Sequence, residues 1–210
     1  MFFMERNTEL FVNEYVKKNT FWYHFWKVFF TPIAWILYRP KFYGKENIPT
    51  SGGVILACNH IHMADPAYIV LATKRVVRFL AKRELLDSIL RPIYMGFCAI
   101  PVDRKASGHN PMVAAECALK QGEVVGIFPE GTRNRKDYKK LLPFKYGAVL
   151  IASKMNVPIV PIVMISKGRP FIDRYHVYIG EPYYVDKDAD LDKENEILKN
   201  KMLALMDKAV

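Results

Sequence analysis

The chain has 210 residues, 51% of them hydrophobic, which suits one domain with a sizeable core and excludes a disordered tail. Its 31 Lys and Arg against 21 Asp and Glu give a formal net charge of +10, so an anionic partner is required: nucleic acid, a membrane surface or a phosphorylated substrate. Zinc-finger spacing, an RNP-like strand and a continuous basic helix are all missing, which sets the common nucleic-acid modules aside.

Residues 21–38 come first among the predicted elements. At helical spacing Trp22, Phe25, Trp26, Phe29, Ile33 and Ile36 share one face, and His24, Lys27 and Thr31 share the other. A spanning helix needs about twenty mostly apolar residues. This run is marginal in length, contains Lys27, and carries Pro32, which should kink or divide it. Residues 8–38 are therefore read as two helical pieces lying in the bilayer interface. Their Trp and Tyr side chains would sit at headgroup level, with Lys17, Lys18, Lys27, Arg39 and Lys41 facing anionic lipid. A core-packing helix and a single spanning helix are the competing readings.

Beyond residue 40 strands and helices alternate. Residues 41–44 read as a short edge strand, 53–58 as a central one and 76–81 as another, followed by helical material at 83–94. A strand at 99–102 precedes a helix at 111–120, with Asn110 as its cap. Then come strand 124–128, helix 144–154, strands 159–164 and 176–179, and a charged amphipathic helix at 191–208. This alternation predicts an α/β fold with a mixed, largely parallel sheet flanked by helices, preceded by an N-terminal amphipathic helical membrane anchor. The implied division is a membrane-interface segment at 1–40 and one domain at 41–210. Cys58, Cys98 and Cys117 read as buried free thiols, and an odd count without a secretory signal points to a reducing, cytoplasmic compartment.

Two clusters carry the chemistry. The first is Asn59-His60-Ile61-His62-Met63-Ala64-Asp65-Pro66, at the junction of strand 53–58 with an apolar segment reaching Thr73. Asp65 suits the N-cap of that segment and Pro66 its first helical position. His60 then falls in the loop leaving the strand. Asp65 can reach back to one ring nitrogen, fixing the tautomer so that the other nitrogen accepts a proton. The second cluster is Phe128-Pro129-Glu130-Gly131-Thr132-Arg133, in a similar setting downstream. His60, His62 and Asp65 also admit a metal-ligand reading, because metal-dependent hydrolases use an H-x-H-x-D-H run. Here the aspartate falls one residue late, no histidine follows it, and His24, His109 and His176 form no second cluster. His62 is taken as a loop histidine packing beside the site.

With Gly96-Phe97-Cys98-Ala99-Ile100-Pro101-Val102-Asp103-Arg104 and Val157-Pro158-Ile159-Val160-Pro161-Ile162, these clusters make four blocks over about half of the chain. In order and spacing they resemble the glycerolipid acyltransferases, most closely the bacterial 1-acyl-glycerol-3-phosphate acyltransferases. At His62 the sequence departs from that pattern, which often has a small polar residue there.

The resemblance implies that His60 is the general base and Asp65 its orienting partner, with no serine nucleophile. It makes Glu130-Gly131-Thr132-Arg133 the acceptor site. Gly131 would allow close approach, Thr132 would offer a hydroxyl, and Arg133 a planar fork for phosphate. Glu130 would order this loop or bind glycerol hydroxyls. Arg104 is the second phosphate candidate, its alternative being a local pair with Asp103. Lys82 would contact phosphate or the developing oxyanion, its alternative being a solvated charge. Arg135, Lys136, Lys139 and Lys140 would attract donor or membrane charge, and the fourth block would build a core strand beside the site.

The implied activity moves a fatty acyl group from a thioester of acyl carrier protein or coenzyme A to the 2-hydroxyl of 1-acyl-glycerol-3-phosphate, giving phosphatidic acid. No cofactor, metal or nucleic acid is expected, and the enzyme would sit peripherally on the cytoplasmic face of the membrane. Action on another lysolipid, a metal-dependent hydrolase and a non-catalytic lipid-binding protein are the alternatives.

Overall fold

Short apolar runs, each ended by a turn, assemble the sheet in the computed structural model, which describes residues 20–82, 100–102, 111–135, 137–167, 169 and 171–208. The strands are β1 (Lys41–Tyr43), β2 (Val54–Cys58), β3 (Val77–Lys82), β4 (Ile100–Val102), β5 (Val124–Ile127), β6 (Ile159–Ile165) and β7 (His176–Ile179). They lie in the order β1-β7-β6-β2-β5-β3-β4, and every neighbouring pair is parallel except β6 with β7. The expected mixed, largely parallel sheet is what forms, with residues 41–43 at one edge and 54–58 at its centre. The helix expected at 83–94, the Asn110 cap and residues 8–19 lie outside the described residues.

Among the described residues five helices flank the sheet: α1 (Thr20–Tyr38), α2 (Asp65–Ala72), α3 (Pro111–Lys120), α4 (Gly147–Met155) and α5 (Leu191–Asp207). Alternation along β2 decides which face each covers. Ile55 and Ala57 pack with α3, α4 and α5, through residues such as Ala118, Val149, Leu198 and Met202. Val54, Leu56 and Cys58 pack with α2 and the inner side of α1, through Tyr68, Ile69, Tyr23 and Tyr38. β2 is buried at all five positions, as a central strand covered on both faces must be.

The sheet also dictates where a ligand can sit. From β2 the chain goes through α2 to β3, passing β5 on one face. From β5 it goes through α4 to β6, passing β2 on the opposite face. The two connections leave neighbouring strands in opposite directions, so a crevice opens beyond the carboxyl ends of β2 and β5. That is where α/β sheets bind ligands. Gly126 in β5 lets the Phe79 ring of β3 cross it, since a Cβ there would overlap that ring.

α1 differs from expectation in two respects. Over the described residues 20–38 it is one unbroken helix that runs through Pro32, where a division was expected. Pro32 has no N–H for the carbonyl of Val28, but Val28 lies on the exposed side, where the orphaned carbonyl is not forced into the core. The second correction concerns Lys27, which does not face outward. Its ammonium donates to the Thr73 carbonyl and shares the inner face with Tyr23, whose hydroxyl donates to Arg75 O at 3.2 Å and accepts from Val77 N at 3.1 Å. The aromatic stripe meanwhile points away from the protein: Phe21, Trp22, Phe25, Phe29, Ile33, Trp35 and Ile36 are all exposed. The core-packing reading of that stripe is therefore wrong. Among the described residues no helix is long and apolar enough to cross a membrane.

Burial, reinforced by the charge on Lys45, pulls the Lys27 pKa down to about 8. Between that value and the ordinary 10.5 the unfolded chain holds a proton that the folded chain has released, so stability from this group rises with pH across that window and is lost as pH falls through 8. Thermal melts of parent and Lys27→Met from pH 7 to 10.5 should show the difference, parent minus variant, moving in the parent's favour with pH. A pH-independent difference would contradict this linkage.

Candidate active site

His60 lies two residues beyond the end of β2, and its surroundings are specified almost atom by atom. Its Nδ1 is 2.7 Å from Asp65 Oδ2. The same carboxylate oxygen accepts the backbone N–H groups of Ile61 at 2.7 Å and His62 at 2.8 Å. Asp65 Oδ1 accepts the Tyr175 hydroxyl at 3.1 Å. The carboxylate side chain has 0% exposure, whereas His60 keeps 19%. With Nδ1 committed to Asp65, Nε2 is the ring nitrogen left for a proton from solvent or substrate.

Asp65 does not cap α2. It is the helix's first residue, Ala64 holds the cap position, and no side-chain cap bond forms. The carboxylate turns back over the loop instead, because three donors of that loop and Tyr175 converge on it. Pro66 is the second residue of the helix, one position later than expected but still in the first turn, where its missing N–H costs nothing.

The second cluster is tied to the first through the backbone. Both main-chain groups of His60 bond to the loop after β5: its N–H donates to Glu130 Oε1 at 2.8 Å, and its C=O accepts from Asn134 N at 2.7 Å. The other Glu130 oxygen accepts from Leu142 N at 2.9 Å. Burial raises the Glu130 pKa, an effect the two backbone donors partly offset. Glu130 is 4% exposed, so these contacts support its loop-ordering reading over direct contact with glycerol. Gly131 has φ +65°, a left-handed conformation that favours glycine, and the flexible end of Lys145 lies over it. Thr132 is exposed and Arg133 half-buried, one residue before the Asn134 bond to His60. No hydrogen bond or ion pair engages the Arg133 guanidinium among the described residues.

Aromatic rings back the imidazole. His60 stacks on Phe128 with centroids 4.1 Å apart and planes at 22°, and Phe128 stacks in turn on Phe79 at 5.7 Å. Asn59 anchors the loop to β6, donating to Met164 O at 2.9 Å and accepting from Met164 N at 2.7 Å. His62 packs beside the site near Tyr38 and Tyr175, its Nδ1 accepting from Ala64 N at 3.3 Å.

Six of the eight expected site residues thus gather on two adjoining loops. Lys82 ends β3, in register with Val102 of β4 at the same end of the sheet; its side chain and the whole of Arg104 lie outside the described residues. Sequence reading missed Tyr175, which stands 110 positions from Asp65 on the approach to β7. It also missed Lys145, whose stem covers Gly131. Among the described residues no group of three or more His, Cys, Asp or Glu is placed to hold a metal ion. Asp65 in particular already accepts four donors.

A family model described as "Acyltransferase" matches residues 39–165, more than half of the chain and all four blocks. The chain belongs to this acyltransferase family. It is 34% identical over 167 residues to the 1-acyl-sn-glycerol-3-phosphate acyltransferase of Bacillus subtilis, covering 75% of this chain and 80% of that protein. Identity is 31% over 163 residues to the Borreliella burgdorferi protein of the same name, and 35% over 132 residues to 1-acyl-sn-glycerol-3-phosphate acyltransferase alpha of Homo sapiens. Those matches cover 72% and 61% of this chain, but 64% and 46% of the relatives. The crystal structure of PlsC, the 1-acyl-sn-glycerophosphate acyltransferase of Thermotoga maritima, aligns with a TM-score of 0.66 at 25% identity, over 80% of this chain and 70% of that one.

Tyr175→Phe removes one donor from a buried carboxylate and should cost about 1–3 kcal/mol in urea unfolding. Asp65→Asn also disturbs the tautomer of His60 and should lower turnover far more, by up to about 10⁴-fold if it behaves as in Ser-His-Asp triads. Initial rates of the two purified variants, ranked against each other, check the order.

Proposed function

We propose that this acyltransferase moves a fatty acyl group from an acyl thioester to the 2-hydroxyl of 1-acyl-glycerol-3-phosphate, producing phosphatidic acid. The observation carrying this reading is the His60–Asp65 pair at 2.7 Å, with Nε2 free beside the loop that carries Arg133. The names of the relatives support the acceptor.

In this mechanism His60 Nε2 takes the proton of the acceptor hydroxyl as its oxygen bonds to the thioester carbonyl carbon. The tetrahedral oxyanion then collapses, the carbon–sulfur bond breaks, and the imidazolium returns the proton to the leaving thiolate. A thioester is activated already, so a positioned base suffices. Such a base contributes on the order of 10²–10⁴-fold. Arg133 and the Thr132 hydroxyl would hold the acceptor phosphate, with Arg104 and Lys82 as further cations. Glu130 keeps that loop against His60. The donor is a thioester of acyl carrier protein or coenzyme A, and the exposed cations Arg135, Lys139 and Lys140 suit either acidic carrier. The outward face of α1 would lie in the interface of the membrane's cytoplasmic leaflet. Residues 1–40 would supply this membrane segment and 41–210 the catalytic domain.

Purified protein given a radiolabelled acyl thioester and 1-acyl-glycerol-3-phosphate should form phosphatidic acid. His60→Ala should lower the rate by at least about 10²-fold while vesicle binding persists. An equally active His60→Ala protein would remove the proposed base. Arg133→Ala should raise the acceptor KM by about ten- to hundred-fold, the worth of a charge-assisted bond, with a smaller change in kcat. A panel of other lysolipids in the same assay checks the head group.

A further inference from the structure

A second apolar tip stands beside the end of α1. Phe171 and Ile172 are 65% and 66% exposed, and nothing in the acyl-transfer chemistry calls on them. The turn that presents them is closed from beneath. The Arg169 N–H and guanidinium bond the Asp173 carboxylate at 2.9–3.0 Å, and the Asp173 N–H reaches Arg169 O at 3.0 Å. Phe171 has φ +64°, a left-handed conformation that aromatic residues seldom adopt without external restraint. The restraint comes from α1: the Phe171 N–H donates to Leu37 O at 2.6 Å, and the Arg39 guanidinium donates to Phe171 O at 3.1 Å.

Charge around the tip has one sign. Arg39, Lys41, Lys167 and Arg174 are exposed, and Asp173, the sole acidic residue from 167 to 174, is spent on Arg169. An exposed aromatic–aliphatic pair ringed by cations matches an anionic bilayer, with apolar side chains at the acyl boundary and cations among the phosphates. The tip adjoins the end of α1, because its backbone bonds Leu37 O, next to exposed Trp35 and Ile36.

We propose that Phe171 and Ile172 form a second bilayer contact, fixed relative to α1, and that the two contacts together set the orientation in which the His60 site meets lipid. This rests on the interfacial reading of α1. The apolar stripe of α1 fixes its rotation in a surface only to within the width of the stripe, and a second point beside its end narrows that freedom. Tyr175 follows Ile172 by three residues, so the contact and the donor on Asp65 lie on one short segment.

The test is vesicle flotation of the full chain on equal parts phosphatidylglycerol and phosphatidylcholine. It compares the parent with F171S/I172S and follows a nitrobenzoxadiazole label on F171C, with the parent treated identically as blank. The double variant should keep the parent's melting temperature and lose vesicle affinity by about ten- to hundred-fold, since two exposed apolar side chains no longer enter the boundary. The label should brighten and shift to the blue on vesicle addition. If the parent itself does not float, the bilayer reading of α1 falls and this proposal with it. If the parent floats while the double variant floats equally well or the label stays in water, this proposal alone is overturned. A label that brightens without vesicles as the protein is concentrated would assign the tip to contact between copies, and also overturns it.

Discussion

One carboxylate, wholly withdrawn from water, holds the site together. Charge buried in this way is stable only if its lone pairs are filled, and Asp65 fills them with His60 Nδ1, two successive backbone amides and the Tyr175 hydroxyl. Each donor belongs to a different requirement of the fold. The amides of Ile61 and His62 curl the loop after β2, the imidazole is held in one orientation, and Tyr175 draws in the approach to β7. The cost shows in the neighbours: burial first, then the Asp65 charge, raises the pKa of Tyr175, so its proton stays in place to donate. Tyr68 is raised by burial and by the charges of Tyr38 and Asp65, and Cys58 by burial and Asp65. These groups stay neutral around one anion, and that asymmetry keeps the hydrogen-bond directions fixed.

A second buried carboxylate solves a different problem. The loop after β5 and the His60 loop leave separate strands, and side chains alone would let them slide. Glu130 bonds the His60 amide on one oxygen and the Leu142 amide on the other, while Asn134 bonds the His60 carbonyl. Backbone-to-carboxylate bonds hold position better than contacts between long side chains, because the amide has no rotamer to lose. A displacement of 1 Å between base and acceptor can cost two orders of magnitude in rate. Glu130 acts as a ruler for the spacing of the two loops.

Much of this could be read from residue order. β2, β5 and β6 are apolar runs closed by turns, and strands buried on both faces look like that in any α/β sheet. The five-residue spacing of His60 and Asp65 announced a pair because the loop between them is too short for either to go elsewhere. The remainder was hidden for identifiable reasons. Tyr175 is far from Asp65 in sequence and near only because β7 lies beside β6, a pairing that no local pattern encodes. Asp65 before Pro66 is the usual signature of a helix cap, yet the carboxylate had stronger donors behind it. Lys27 looked like a lipid-facing cation, but helical spacing alone gives faces without saying which faces inward. The Thr73 carbonyl and the Tyr23 hydroxyl network decided that.

The orientation of α1 has a further consequence for acyl transfer. Tyr38, its last residue, packs edge-on against Tyr68 and Tyr175 with centroids at 5.9 and 5.3 Å, and Tyr68 stacks on Tyr175 at 4.2 Å. These three rings form the wall between the outward-facing helix and the Asp65 carboxylate. In the proposed reaction a lipid substrate would bring a hydroxyl to His60 while its acyl chain remains in an apolar phase. An aromatic wall does this at low cost, since its ring faces are apolar and, of its three hydroxyls, that of Tyr175 is turned to the buried charge. Close packing of these rings transmits displacement from one to the next. Where α1 settles therefore determines where Tyr175 stands, and Tyr175 helps determine how the carboxylate is aimed at the base.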